Sequence, residues 1–406
     1  MPTPSNGDME NSRFARKFAA CLAVLLIVIA AAGTLDFILR PSKFSMNDLQ
    51  LFWIVSPGRF FVPVPGDKGF VQTNPELVQL DNEPVRFSAR KKADYRIFCV
   101  GGSTTQGWPF HHVLSYPKLL SAILSDVLPG RKVEVINAGF MASDSTSDLP
   151  LVREIVRYQP DLLLIYEGRN EWWNYPLHHG FKAYVLELYV WTMRHFAICE
   201  RLRQAALSQR RFNQAELFRN WADIHRSSFS VDADLTANLK AMAAVAGAHD
   251  CKSIVMTQVF YRSDIWEGFW FKAINGSIRA LAGNDSGRNP GLIHIARVFQ
   301  NDPRGESLLI PPTPVHPDLD GYFLMAKTTA RSLYRMHLIA PQSSWHWNRL
   351  RSQAEYLGEL GVTSGDLAQV YETVAEVFVE LGNPKAAAIY RRKAAAFKAR
   401  GHGALK

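Results

Sequence analysis

The sequence predicts an α/β protein, a three-layer sandwich in which helices cover both faces of a five-stranded parallel sheet. Apolar runs of strand length alternate with segments of helical periodicity, which is typical of a parallel sheet with helical crossovers. Three of the runs also end at glycines, as buried parallel strands do where they enter a turn. The strand runs are YRIFCVGG (95–102), KVEVINAG (132–139), DLLLIYEG (161–168), KSIVMTQVF (252–260) and, more weakly, LIHIARVF (292–299).

Helical patterns lie between and after these strands, at 116–128, 147–159 and 321–338. The interval between the third and fourth strands is longer than one crossover helix needs. We therefore expect an aromatic-rich helical insertion at about 176–230 that covers a site.

The N-terminus predicts a membrane anchor. Residues 18–35 (FAACLAVLLIVIAAAGTL) carry no charge, and as a helix they would span about 27 Å, close to the thickness of a bilayer core. Basic residues in segment 1–17 place that segment in the cytoplasm and the rest of the chain outside, in a single-pass topology. The alternative is a cleaved signal peptide, because Ala30, Ala31 and Ala32 offer small residues for cleavage.

Three further regions follow the anchor: a strand-rich lead-in at 36–93, the α/β domain at 94–338 and a helical tail at 345–406. In the tail, two helical patterns flank Gly382-Asn383-Pro384, where Asn383 can cap the second helix. The pair resembles one tetratricopeptide hairpin. A single unit cannot form a solenoid, so we expect it to pack on the domain or to bind a protein partner.

Composition excludes several function classes. The net charge of +9 comes from basic residues scattered along the chain rather than clustered, which disfavours nucleic-acid binding. Four cysteines without a CxxC pair give neither a disulfide scaffold nor a zinc site. No nucleotide-binding or metalloprotease motif is present, so we expect neither a cofactor nor a metal.

Polar sequences follow the predicted strands where a parallel sheet collects its functional residues. They are GGSTTQG (101–107), NAGFMASDS (137–145), EGRNEWW (167–173) and, before the last helix, PVHPDLDGY (314–322). Acyl transfer needs such a set: a serine, a base to take its proton and fixed donors for the oxyanion. We expect Ser103 to be the nucleophile and His316 the base, with the oxyanion hole formed by the N–H groups of Ser103 and Ala142 and by the Asn170 side chain.

These blocks resemble the SGNH (GDSL-like) hydrolases, and the resemblance covers about 94–338. Four blocks match in order: Gly102-Ser103, Asn137 to Ser145, Gly168-Arg169-Asn170-Glu171 and His316. The resemblance implies an SGNH/flavodoxin-like fold, ester substrates and no cofactor. The N-terminal segment and the tail are similar to a bacterial membrane-anchored subgroup with tetratricopeptide-like tails.

Two positions depart from the family pattern. Ala142 stands where the family usually has a glycine whose N–H binds the oxyanion. The Ala142 N–H keeps this donor role if the local φ is negative. Thr313 stands where an aspartate usually orients the histidine. Three alternatives remain: a backbone carbonyl or water orients His316, Asp318 or Asp320 substitutes for the aspartate, or activity is reduced or lost.

Other residues of the blocks have supporting interpretations. Glu171 replaces the usual aspartate and is expected only to order its loop. Trp108, Trp172 and Trp173 are either core residues or surfaces for a sugar or an acyl group.

The expected function is that of a serine esterase or O-acyltransferase in the bacterial inner membrane, with its catalytic domain in the periplasm. The expected substrate is an ester, first of all an acetyl ester, of a cell-surface or exported polysaccharide. Two alternatives stay open: a lipid esterase, or a non-catalytic accessory protein of an exopolysaccharide assembly complex.

Overall fold

The computed structural model describes most of the chain between residues 59 and 400. The described residues are 59–75, 77, 84–110, 112–171, 174, 178, 184, 188, 192, 196, 199, 231–260, 265–282, 290–310, 316–380 and 383–400. Five features expected from the sequence therefore lie wholly or largely outside the described residues: the segment 18–35, the insertion 176–230, Trp172, Trp173 and Thr313.

The predicted five-stranded parallel sheet is confirmed. Its strands are β4 (Tyr95–Gly101), β5 (Val133–Gly139), β6 (Leu162–Tyr166), β7 (Lys252–Met256) and β8 (Gly291–Ile293). Their spatial order is β5-β4-β6-β7-β8. The first strand of this sheet, β4, lies between the second and the third, so the winding of the chain reverses there. In sheets of this order, ligands bind in the crevice at the carboxyl ends of the strands beside that reversal.

The register of the central strands brings the site loops to one level. Gly101 at the end of β4 pairs with Gly139 of β5 and with Tyr166 of β6. The loops that carry the first three polar blocks therefore leave the sheet side by side.

The fifth strand is much shorter than the apolar run 292–299 predicts. Strand β8 ends at Ile293, and a helix runs from Ile295 to Asn301. Ile295, Ala296 and Phe299 are buried at helical spacing. The apolar run therefore also fits a 3.6-residue period, and its second half forms a helix.

The described α-helices cover both faces of the sheet, as expected. The helix after β5 begins with a capping box in which Asp144 and Ser147 each bond the other's backbone N–H. In chain order the helices are α1 (Ser103–Gln106), α2 (Tyr116–Val127), α3 (Ser145–Ile155), α4 (Val231–Gly247), α5 (Ile265–Ala282), α6 (Ile295–Asn301), α7 (Leu319–Arg335), α8 (Gln353–Glu359), α9 (Ser364–Glu380) and α10 (Pro384–Ala399).

Two apolar cores lie on the two faces of the sheet. One contains the buried residues of α2 and α7, and the other contains those of α3, α4 and α5. Alternate residues of β4 contribute to each core: Ile97 to the first, and Phe98 and Val100 to the second. The three-layer arrangement thus follows from strands that are apolar on both faces.

The lead-in forms a small antiparallel sheet of β1 (Phe61–Pro63), β2 (Phe70–Thr73) and β3 (Arg86–Ser88). Its aromatic residues join the second core, where Phe61 packs edge-on against Phe98 at 6.1 Å. The Glu154 carboxylate of α3 accepts hydrogen bonds from the N–H groups of Phe60 and Phe61. The lead-in therefore shares the core of the main domain.

The predicted tail hairpin is present as α9 and α10, and it packs on the domain. Its buried residues, among them Tyr371, Phe378 and Tyr390, belong to the same core as α2 and α7. Among the helices that the structure describes, none has the length and apolar character of a membrane span.

Candidate active site

Ser103 is the first residue of helix α1, and only Gly102 separates it from the end of β4. Gly101 has a φ of +152°, and a Cβ there would lie 2.3 Å from Thr105 Oγ1 and 2.5 Å from the Tyr166 carbonyl oxygen. A Cβ on Gly102 would lie 2.8 Å from Asn170 Nδ2. Only glycine fits such close approaches. The Gly-Gly pair is thus what allows the strand to turn tightly and present Ser103 beside the third polar block.

The structure brings Ser103 and His316 together from positions far apart in the chain. Ser103 Oγ lies 2.7 Å from His316 Nε2, a hydrogen-bonding distance suited to proton transfer from the hydroxyl to the imidazole. The described residues offer no hydrogen-bond partner to His316 Nδ1.

The surroundings of His316 keep its ring neutral. The indole of Trp108 packs against the imidazole, with ring centroids 4.5 Å apart. Burial and, secondarily, the positive charge of Arg169 lower the pKa of His316 to about 3. A neutral imidazole is the form that accepts a proton, so the base is ready at neutral pH. The imidazolium that forms in the reaction is correspondingly disfavoured.

The alternative in which Asp318 or Asp320 replaces the missing carboxylate does not hold. Asp318 caps α7, where its carboxylate accepts hydrogen bonds from Leu319 N–H and the Tyr371 hydroxyl and pairs with Lys393. Asp320 lies further along on an exposed position and is 3.7 Å from an Arg304 nitrogen. Both carboxylates are therefore engaged away from the imidazole.

Asn170 lies against Gly102, beside the nucleophile. Its Nδ2 donates a hydrogen bond of 2.7 Å to the Ser143 carbonyl. An amide nitrogen carries two hydrogens, so this bond fixes the side chain and leaves the second hydrogen to bind an oxyanion. Asn170 thereby also connects the second polar block to the third.

Ala142 has a φ of +61°, which corrects the expected negative value. Ser143 N–H donates to the Phe140 carbonyl at 3.2 Å and closes a four-residue turn. Ala142 is the third residue of that turn, a position where several turn types need positive φ and favour glycine. The Asn174 side chain holds the turn by donating to the Ala142 carbonyl at 2.8 Å. The alanine therefore adopts a left-handed conformation that glycine would adopt more readily.

Gly168 is a supporting residue because of its backbone. Its φ is +129°, and a Cβ there would lie 2.7 Å from Ile274 Cγ2. Any side chain at this position would displace the loop that carries Arg169 and Asn170.

Four buried carboxyl groups lie behind the site, and of these only Glu171 has a role predicted from the sequence. Glu171 accepts a hydrogen bond of 3.0 Å from Ser145 N–H, which agrees with its expected role in ordering the loop. Asp148 accepts one from the Ser143 hydroxyl at 3.2 Å, and Asp144 lies 2.9 Å from His178 Nε2. The fourth is Glu167.

Burial sets the protonation of this carboxyl cluster, which we define as Asp144, Asp148, Glu167 and Glu171. Burial and the charge of Asp144 raise the pKa of Glu171 to about 8. Burial likewise raises the pKa of Asp148, to about 7, and that of Glu167. Asp144 stays ionised, because the His178 contact and further hydrogen bonds lower its pKa although burial opposes them. Buried carboxyls, three of them with raised pKa values, thus lie between the second and third polar blocks.

Comparisons with known proteins find similar solved structures. They include a lipase/acylhydrolase from Enterococcus faecalis (17% identity, TM-score 0.39, 59% of this chain and 95% of that one). Also similar is an acetylxylan esterase from Geobacillus stearothermophilus, with 15% identity and a TM-score of 0.38 over 59% of this chain and 94% of that one. A third is a lipolytic G-D-S-L family protein from Veillonella parvula, with 14% identity and a TM-score of 0.39 over 59% of this chain and 99% of that one. No family model and no curated protein matches the chain. At identities and scores this low, the likeness assigns neither family nor activity.

Proposed function

We propose that the protein is a serine esterase or acyltransferase that uses Ser103 as its nucleophile. The observation that carries this proposal is the 2.7 Å contact between Ser103 Oγ and His316 Nε2, at the carboxyl edge of a parallel sheet. Two-residue contacts of this kind activate hydroxyls that are otherwise weak nucleophiles.

The reaction follows from the positions of these groups. Ser103 Oγ bonds to the ester carbonyl carbon while its proton passes to His316 Nε2. The negative charge on the carbonyl oxygen is stabilised by Asn170 Nδ2 and by the Ser103 N–H. Collapse of the intermediate breaks the bond to the alcohol oxygen, which takes the proton from Nε2 as it leaves. A water or an acceptor hydroxyl then attacks the acyl carbon and gives its proton to His316 Nε2. The bond between that carbon and Ser103 Oγ breaks, and Oγ takes the proton from Nε2, which restores the serine hydroxyl and the neutral imidazole.

The proposed substrate is an acetyl ester of a cell-surface or exported polysaccharide. Trp108 supports this choice, because an indole beside the reacting groups offers a flat face to a sugar or a small acyl group. The uncharged segment 18–35 supports a place at the bacterial inner membrane with the domain in the periplasm, where such polymers occur. Lipid esters are the alternative that the same placement allows.

One observation favours a second function, that of a non-catalytic accessory protein. Among the described residues His316 Nδ1 has no hydrogen-bond partner, whereas catalytic histidines are usually oriented through this atom. On this view the fold would serve as a binding module, and the tail would contact a protein complex.

A fluorophosphonate probe distinguishes the two functions, because it reacts covalently only with an activated serine. The esterase proposal expects labelling of the wild type and slow turnover of a small acetyl ester, both abolished in Ser103→Ala and His316→Ala. Ser307→Ala, a change to an exposed hydroxyl, is the matched control and should leave both unchanged. A folded wild type that neither reacts with the probe nor hydrolyses any ester would favour the accessory function.

A further inference from the structure

The C-terminal hairpin of α9 and α10 contacts the segment that carries His316. Tyr371 of α9 donates a hydrogen bond of 2.7 Å from its hydroxyl to Asp318 Oδ1. Lys393 of α10 pairs with the other oxygen, Oδ2. Asp318 is only 5% exposed, so these two residues hold a buried carboxylate that lies two positions after the candidate base.

The Asp318 carboxylate has the partners a buried charge requires. It accepts from Leu319 N–H at 2.8 Å in addition to its bonds with the hairpin. Burial and the Asp318 charge raise the pKa of Tyr371, so its hydroxyl stays a donor. The Lys393 ammonium also lies over the rings of Tyr371 and Tyr390, at 5.4 and 5.3 Å. This arrangement fixes the lysine although part of its side chain reaches solvent.

Backbone contacts connect Asp318 rigidly to His316. Asp318 N–H donates to the Leu308 carbonyl at 2.8 Å, and Ile310 N–H donates to the His316 carbonyl at 2.9 Å. Leu309 and Pro317 form an antiparallel bridge between these two bonds. A shift of Asp318 would therefore move the backbone of His316 with it.

A second path connects the hairpin to the ring that packs on the imidazole. Tyr371 contacts Phe110 edge-on with centroids 5.7 Å apart, and Phe110 contacts Tyr322 at 6.1 Å. The Tyr322 hydroxyl donates to the Trp108 carbonyl at 2.7 Å, and Trp108 packs against His316. Tyr371 is thus connected both to the backbone of His316, through Asp318, and to its imidazole, through Trp108.

We propose that Tyr371 and Lys393 are positioning residues for His316, so that the hairpin supplies orientation that other serine hydrolases obtain from a carboxylate on Nδ1. This inference rests on the proposed esterase function. Neither residue touches the reacting atoms. Both act through Asp318, and Tyr371 acts also through Phe110. Because small misplacements of a catalytic group slow a reaction strongly, loosening this support reduces turnover before it unfolds the domain.

The test compares Lys393→Gln and Tyr371→Phe with wild type in the full chain. We expect each change to lower kcat and the rate of probe labelling roughly 10-fold, with KM for a small ester within about twofold, and the double variant to lower kcat further. Lys393→Arg keeps the charge and should restore most of the rate. All measurements are made well below each variant's melting temperature, so that partial unfolding does not contribute.

Lys398→Gln is the matched control. Lys398 lies on the same helix as Lys393 but pairs with Glu372 on the outer surface of the hairpin, and its removal should change neither rate. If the Lys393 and Tyr371 variants melt earlier but react as fast as wild type, the hairpin is only structural and the inference is wrong, while the esterase function stands. A wild type without labelling or turnover overturns the proposed function and this inference together.

Discussion

At the scale of single residues, Ala142 carries a backbone strain that a glycine would relieve. A left-handed conformation costs an L-residue about 1–2 kcal/mol, and glycine avoids this cost. Glycine also loses more conformational entropy on folding, which cancels part of the gain in stability. Ala142→Gly should therefore raise the free energy of unfolding by up to about 1 kcal/mol, measured by urea titration, with kcat unchanged.

His337 provides the matched control for that change. Its φ is +54°, and it is exposed after α7. His337→Gly should give a similar gain in stability. A loss of stability in Ala142→Gly with a gain in His337→Gly would contradict the strained turn at residue 142.

Asn170 offers a donor that matters most in the transition state. Asn170→Ala should lower kcat roughly 10²–10³-fold and change KM little, as removal of one oxyanion donor does in other hydrolases. Asn174→Ala removes a neighbouring tether of the same turn and should slow the reaction less. If Asn170→Ala instead lowers the melting temperature strongly and leaves kcat unchanged, Asn170 only supports the loop.

The protonation of His316 sets the pH profile. Its pKa of about 3 lies below the ordinary value, so kcat/KM for a neutral ester should show no loss near pH 6.5 as the pH falls from 8 to 5. Arg169→Gln removes the positive charge that is the second cause of the lowered pKa of His316. The acid limb of the profile should therefore move to higher pH. An acid limb near pH 6.5 in the wild type would contradict a buried, neutral imidazole.

At the scale of elements, the carboxyl cluster between α3 and the third polar block makes stability depend on pH. Glu171 has a pKa of about 8 when folded, against 4.5 as its ordinary value. Between those values the folded chain keeps a proton that the unfolded chain has lost, so stability falls as the pH rises through this window. One such group costs on the order of 1 kcal/mol per pH unit.

Glu171→Gln tests this dependence because an amide oxygen can still accept from Ser145 N–H. Relative to wild type, the variant should gain stability as the pH rises from 5 to 8, measured by urea titration at several pH values. Glu376→Gln removes an exposed carboxylate on α9 and should follow the wild type at every pH. Parallel curves for Glu171→Gln and wild type would show that Glu171 is ionised in the folded protein.

The central strands β4, β5 and β6 could be predicted from the sequence because each is a mainly apolar run of strand length that ends at a glycine turn. Strand β8 could not, because LIHIARVF fits the period of a helix as well as that of a buried strand. The contact between Ser103 and His316 could also be predicted, because both residues lie in polar sequences expected at the carboxyl edge of the sheet. The carboxyl cluster and the pairing of Lys393 with Asp318 were not, since they depend on packing between elements distant in the chain.

At the scale of the whole molecule, the proposed placement has a direct test in cells. With segment 1–17 in the cytoplasm and 18–35 as an anchor, alkaline phosphatase fused after Lys406 should be active, and the protein should resist carbonate extraction. A fusion with the phosphatase directly after Lys17 should be inactive and serves as control. An exported, shortened and extractable product would favour a cleaved signal peptide, and a soluble cytoplasmic one would exclude the placement.

The support that α10 gives to His316 also has a consequence in time. Ribosomes make roughly 5–20 residues per second, so the chain from Ser103 to Lys393, about 290 residues, takes about 15 to 60 s to complete. For most of that interval the nucleophile exists while neither its base, His316, nor the two helices that steady this base have been made. A nascent chain is therefore expected to acquire full reactivity only once Lys393 has emerged and α10 has docked, which delays chemistry until synthesis has passed the last supporting residue.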